Sequence, residues 1–138
     1  MTTQTNEPHD RQPDIEVYIK DLSVEAIINW LNEVFEGVEA QSALDKASLN
    51  LQCKIKRKTG DLVSIPVSIF TGAAGKLYTS LWFQSDKTPW DTDLDCAIQL
   101  VEATGNEVRC ATNGWEETED ADNQWWKVTE EGKTIVNW

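Results

Sequence analysis

Apolar and polar positions alternate in several stretches of the chain with the two-residue period of a strand buried on one side. In IEVYIK, residues 15–20, Ile15, Val17 and Ile19 fall on one face and Glu16, Tyr18 and Lys20 on the other. LNLQCKIK repeats the pattern, setting Leu49, Leu51, Cys53 and Ile55 against Asn50, Gln52, Lys54 and Lys56. So polar a second face is solvated, which favours an antiparallel sheet with one open side. After Thr59-Gly60, DLVSIPVSIF places Val63, Ile65, Val67 and Ile69 on one face, and the short connection predicts a hairpin. Pro66 has no amide hydrogen to give to a ladder, so it predicts an edge strand or a bulge. In KLYTSLWFQS, Leu77, Thr79, Leu81 and Phe83 alternate with Tyr78, Ser80, Trp82 and Gln84, so the outward side of this strand carries aromatics.

Two segments switch to helical spacing. SVEAIINWLNEVFEG aligns Val24, Ile27, Ile28, Leu31, Phe35 and Val38 on one stripe, with Ser23 as N-cap, Gly37 near the stop and Trp30 at the margin. PWDTDLDCAIQLVEATG aligns Leu94, Ala97, Ile98 and Val101 and ends near Gly105. EVRCAT then reads as a strand, GWEETEDADNQ as an acidic loop, and WWKVT with KTIVNW as a hairpin around EEG. The predicted order is β-α-β-β-β-α-β-β-β. Runs of sequential strands broken by two helices make this an α+β chain: one antiparallel sheet with both helices on one face. Residues 15–138 form a single domain, the usual content of a chain this long. MTTQTNEPHDRQPD, residues 1–14, is polar and contains proline, and reads as a disordered arm.

Charge changes the picture of partners more than of fold. Lys and Arg number 12 against 24 Asp and Glu, a net charge of -12. Such a surface repels nucleic acid and anionic membrane and favours a neutral or basic protein partner. No apolar run approaches the roughly 18 residues of a membrane-spanning helix, and the arm has no secretory apolar core, so a cytoplasmic protein is expected. Cys53, Cys96 and Cys110 stand singly, with no CxxC pair, as reduced buried thiols would.

Candidate chemistry is sparse. Counting from Asp91, a calcium loop would draw ligands from Asp91, Asp93, Asp95 and Glu102. Cys96 stands where its sharp turn needs glycine, and LYTSLWFQSDKTP precedes it where an entering helix is required. The carboxylates at Asp91 and Asp93 suit instead the positive end of a helix dipole. TGAAGK fails as a phosphate loop, with Phe70 in place of glycine, Leu77 in place of Ser or Thr, and a strand where a helix should begin. The one histidine, His9, lies in the arm, so no histidine-based triad is expected on ordered structure. Arg109 beside Cys110 offers a way to lower a thiol pKa, but core packing is the simpler role for each cysteine. No cofactor, no metal and no catalytic residue is assigned.

Two features point to binding. Seven tryptophans, at 30, 82, 90, 115, 125, 126 and 138, exceed what a small core uses, and tryptophan is enriched where interfaces are anchored. In a strand, Trp125 and Trp126 must face opposite ways. Glu116, Glu117, Glu119, Asp120 and Asp122 crowd one loop between Trp115 and Trp125, while Lys54, Lys56, Arg57 and Lys58 gather at one hairpin. A charged pair of surfaces can orient a partner, or merely solvate a loop and guard an edge. The partner-binding candidates are therefore Trp115, Glu116, Glu117, Glu119, Asp120, Asp122, Trp125 and Trp126. They suggest a non-enzymatic protein-binding module, an acidic inhibitor or immunity-type protein masking a basic partner; a homodimer is compatible with this. The alternatives are an enzyme or small-ligand-binding protein with a Trp-lined pocket, and a nucleic-acid mimic. In element order the chain also resembles small acidic secretion chaperones, which implies a related plan and a protein client.

Overall fold

A computed structural model of the chain describes residues 12–45, 48–73, 77–112 and 124–138. Among them, β1 (Ile15–Lys20), α1 (Val24–Val34), β2 (Gly37–Asp45), β3 (Ser48–Lys56), β4 (Leu62–Ala73) and β5 (Tyr78–Phe83) are followed by α2 (Asp93–Thr104), β6 (Val108–Ala111), β7 (Gln124–Thr129) and β8 (Gly132–Asn137). The strands form one antiparallel sheet in the order β2-β3-β4-β5-β1-β6-β7-β8. The α+β class, with its helices on one face, is the one predicted from the sequence.

β1 is the strand out of sequence. It lies between β5 and β6, joining the β2–β5 meander to the β6–β8 meander. Its register sets Ile15 against Phe83, Val17 against Leu81 and Ile19 against Val108. These residues face the helices and are fully buried. Alternation then fixes the opposite face at Glu16, Tyr18, Ser80, Trp82 and Arg109.

α1 starts as predicted, with the Ser23 hydroxyl accepting from the Ala26 N–H. Its end differs. The backbone turns extended at Phe35, and Val38 lies in β2 opposite Cys53 instead of continuing the helical stripe. β2 is an eighth strand that the pattern does not reveal. Trp30, placed at the margin of the stripe, is buried and stacked on Trp90, with ring centroids 5.7 Å apart and an interplanar angle of 11°. Phe35 and Phe83 close around the same Trp90, whose indole N–H reaches Gln99 Oε1 at 2.8 Å. This aromatic nucleus seats α1 on the sheet.

α2 begins after Thr92, whose hydroxyl accepts from the Asp95 N–H, so the Asp-rich stretch is a helix start. It stops at Gly105, where φ of 77° lets the N–H reach the Val101 carbonyl. An L side chain there would be strained, and its Cβ would come within 3.2 Å of the Glu130 carboxylate. The inner face of α2 is Cys96, Ala97, Leu100 and Val101, all buried, while Ile98 is only partly covered.

Pro66 belongs to a strand with neighbours on both sides, paired with Gln52 of β3. Its carbonyl accepts from the Gln84 N–H, one residue beyond the end of β5. The reciprocal bond, which proline cannot make, falls where the β4–β5 ladder stops, so the missing donor costs little. Leu77, assigned to the inner face, precedes β5 and is exposed. No helix among the described residues is long and apolar enough to cross a membrane.

Leu31→Ala should lower stability by about 2–5 kcal/mol, because Leu31 is wholly buried, whereas Ile98→Ala should cost about 1 kcal/mol. Urea midpoints at unchanged slope measure both. Equal losses would show that Ile98 is as enclosed as Leu31.

Candidate functional site

The face of the sheet turned away from the helices divides into two regions. Over β2 to β5 it is mainly a polar ladder, in which the Ser68 hydroxyl pairs with Asn50, Gln84 donates to Ser68, and Lys54 meets Glu39 at 3.3 Å, with Leu62 and Phe70 of β4 exposed on the same side. Over β5, β1, β6 and β7 it is aromatic. Trp138, following β8, folds onto this face, with its ring 4.7 Å from Tyr78, 5.6 Å from Tyr18 and 5.1 Å from Trp125. Tyr18 and Trp125 meet edge to face at 5.6 Å.

Arg109 is held inside this array. Its Cζ lies 4.8 Å from the Trp138 centroid and 5.4 Å from that of Tyr78, and its Nε donates to Glu107 Oε2 at 2.7 Å. The Tyr78 hydroxyl donates to the same oxygen at 2.9 Å. Burial opposes charge on Glu107, but the hydrogen bonds from Arg109 and Tyr78, with the Arg109 and Lys127 charges, hold its carboxyl below the usual range. Burial first, and then Glu107, push the Tyr78 phenol up. The result is a guanidinium set between two aromatic rings and a carboxylate.

Beside this box lies a cleft of about 190 Å³ walled by Tyr18 and Trp125 and lined by Gln12, Asp14, Glu16 and Asp93. The Trp82 indole N–H donates to Asp14 Oδ2 at 2.8 Å, and the Ser80 hydroxyl to Glu16 Oε2 at 3.1 Å. The Glu16 N–H donates to Asp93 Oδ1 at 2.9 Å, tying the start of α2 to β1. Asp93 is 8% exposed. Burial raises its carboxyl from 3.8 to about 6; the Asp14 and Glu16 charges add to this, and the Glu16 N–H and Gln12 amide oppose it. Among the described residues no Lys or Arg forms an ion pair with these three carboxylates, and no three acidic, Cys or His groups are spaced to hold a metal ion.

A second, larger groove of about 500 Å³ runs between α2 and the β7–β8 hairpin, lined by Ile98, Val101, Val128, Glu102, Glu130 and Lys133 among others. None of its lining residues is a tryptophan. The carboxylates and tryptophan that a Trp-lined pocket would combine occur together in the smaller cleft.

The two candidate residues among those described are separated. Trp125 lies on the open face and Trp126 on the inner one, packed against the core with Lys133 Nζ 5.0 Å from its ring. Trp115, Glu116, Glu117, Glu119, Asp120 and Asp122 lie outside the described residues. Cys110 and Arg109 project to opposite faces of β6, so the guanidinium does not activate the thiol. All three cysteines are free and buried, and burial pushes Cys53 up to about 12 and raises Cys96 and Cys110 as well. Sequence reading missed Asp14, Glu16, Asp93, Tyr18 and Arg109 as binding residues; the signal was Glu16 with Tyr18 on the outward side of one strand and Tyr78 with Trp82 on that of another. No protein-family model, curated protein or solved structure matches the chain.

The Asp93 shift makes a signed prediction. Between pH 3.8 and about 6 the folded chain holds a proton at Asp93 that the unfolded chain has lost, so this group's contribution to stability falls as pH rises through that window. At neutral pH the ionised carboxylate costs on the order of 3 kcal/mol. Asp93→Asn keeps an oxygen for the Glu16 N–H and loses the charge. Its stability relative to the native chain should therefore climb from pH 4 to pH 7 in urea unfolding. A difference independent of pH would contradict the buried, unpaired carboxylate.

Proposed function

We propose that the chain is a non-enzymatic protein-binding module that docks a basic partner on the open face of its sheet, as an inhibitor or immunity-type protein would. The observation that carries this reading is the grouping of Trp82, Trp125 and Trp138 with an acidic cleft on the face that neither helix covers. Trp82 and Trp138 are 39% and 38% exposed, large apolar areas to leave in water. Two tryptophans of the core, Trp30 and Trp90, account for the aromatic demand of the helical layer, so those on the open face are surplus to packing there.

The two kinds of group divide the work. At a net charge of -12 the chain attracts a basic surface over about a Debye length and raises its encounter rate. Once water is excluded, tryptophan supplies short-range hold. Trp125 keeps its place in the proposed interface, joined by Trp82, while Trp126 leaves it for the inner face.

A random displayed-peptide selection against the full chain tests this with no partner named in advance. Selected sequences should be rich in Lys or Arg with apolar residues between. Their association should slow as salt rises, and Trp82→Ser with Trp125→Ser should speed dissociation by a loss of roughly 2 kcal/mol or more in a chain that still unfolds at the native midpoint. Neutral or acidic selectants, or affinity indifferent to both substitutions, would refute the reading.

A further inference from the structure

The smaller cleft has a chemistry specific enough to name its occupant. Its volume of about 190 Å³ is below that of pockets for whole drug-sized ligands, and suits one inserted side chain. Tyr18 and Trp125 supply aromatic walls, and Asp14, Glu16 and Asp93 supply carboxylates. Among the described residues the Trp82 indole donates to Asp14, the Ser80 hydroxyl and, at 3.5 Å, the Tyr18 hydroxyl to Glu16, and the Glu16 amide and the Gln12 side chain to Asp93. A carboxylate has about four acceptor sites, so each keeps capacity that donors of the described residues do not fill. Asp93, nine-tenths buried and lining the cleft, has no cationic partner among the described residues. A buried carboxylate without a counter-charge is costly to keep, and a bound cation would relieve that cost.

The spacing selects among cations. The three carboxylates do not converge as a metal ion requires. An ammonium group is likewise a compact point charge, whereas a guanidinium spreads five donors over a plane and stacks on aromatic faces. The same face already holds one such group: Arg109 lies against Tyr78 and Trp138 with Glu107 at its edge. The cleft repeats that combination of ring walls and carboxylates with no arginine of the described residues inside it.

Building on the docking reading above, we propose that the cleft between Tyr18, Trp125, Asp14, Glu16 and Asp93 is an arginine-binding site, receiving the guanidinium of a partner's side chain.

The test is a titration of the isotopically labelled full chain by NMR, with n-butylguanidinium and n-butylammonium as matched probes. The guanidinium should shift the Trp125 indole N–H and the Glu16 amide saturably, and bind at least tenfold more tightly than the ammonium. Asp93→Asn and, separately, Asp14→Asn should each weaken it about tenfold, while Glu102→Gln in the other groove leaves it unchanged; the spectra themselves report whether each variant is folded. The titration is repeated in Arg11→Ala, because Arg11 precedes Gln12 in the chain and can compete with the probe; binding gained on that substitution supports the site. Absence of saturable shifts at Trp125 and Glu16 in both chains, equal affinity for the ammonium, or indifference to both Asp substitutions would overturn the proposal. If the probe fails while selected peptides still need Trp82 and Trp125, only the arginine site falls; if those peptides fail too, the docking reading falls with it.

Discussion

The pairing of β1 with β5 on one side and β6 on the other is the constraint on which the remaining structure depends. β2–β5 and β6–β8 are each continuous in sequence order, and β1 is the strand that joins them. Six residue pairs, from Ile15 with Phe83 to Lys20 with Tyr78, set the register of one meander on β1, and Tyr18 with Arg109 and Ile19 with Val108 set that of the other. Because side chains alternate, a slip of one residue would turn Glu16, Tyr18 and Lys20 toward the helices and Ile15, Val17 and Ile19 toward water. The burial of those three aliphatic residues opposes that slip. The two registers together deliver Trp82, Tyr18 and Arg109 to one side, so core and open face both follow from the place of β1 in the sheet.

The open face is not simply the solvated back of a sheet. Its ladder over β2 to β5 has mostly the character expected of such a back, with hydroxyls, amides and an exposed ion pair beside the exposed Leu62 and Phe70. Across β1, β6 and β7 the composition changes to rings and carboxylates. There Arg109 is enclosed and its carboxylate partner Glu107 is only 14% exposed, a geometry that ordinary solvation does not require. Asp93 extends the same region at a stability cost, since its charge is buried without an opposite one among the described residues. Cost retained in a folded chain is a common mark of a binding surface, where the compensating group belongs to a partner. That is the physical basis of the proposed docking face.

Much of the fold was legible in the sequence because a one-sided sheet writes its burial as alternation. Ile15, Val17 and Ile19, or Leu49, Leu51 and Cys53, carry that signal without interruption. β2 was not legible: GVEAQSALD is poor in β-branched and aromatic residues, its register is interrupted between Ala40 and Ser42, and Val38 continues a helical spacing that the backbone leaves at Phe35. Pro66 argued for an edge strand or a bulge: β4 is interior, its register with β5 shifts between Phe70 and Ala73, and the ladder ends at the bond proline cannot make. The opposed faces of Trp125 and Trp126 followed from strand geometry alone. The cleft did not. It draws Asp14 from before β1, Glu16 from β1, Asp93 from α2 and Trp125 from β7, residues whose proximity exists only through the pairing of distant strands.

If the open face, rather than the helical layer or the β8 edge, meets the partner, tryptophan reactivity reads it out. Hydroxyl-radical footprinting compares the full chain alone and with a selected basic peptide. Trp82 and Trp125 should be protected on binding, while Trp30 and Trp90, already buried, should react as slowly in both states. Protection confined to Ile135 on β8, with Trp82 and Trp125 as reactive as in the free chain, would place the partner on the sheet edge and overturn the docking reading.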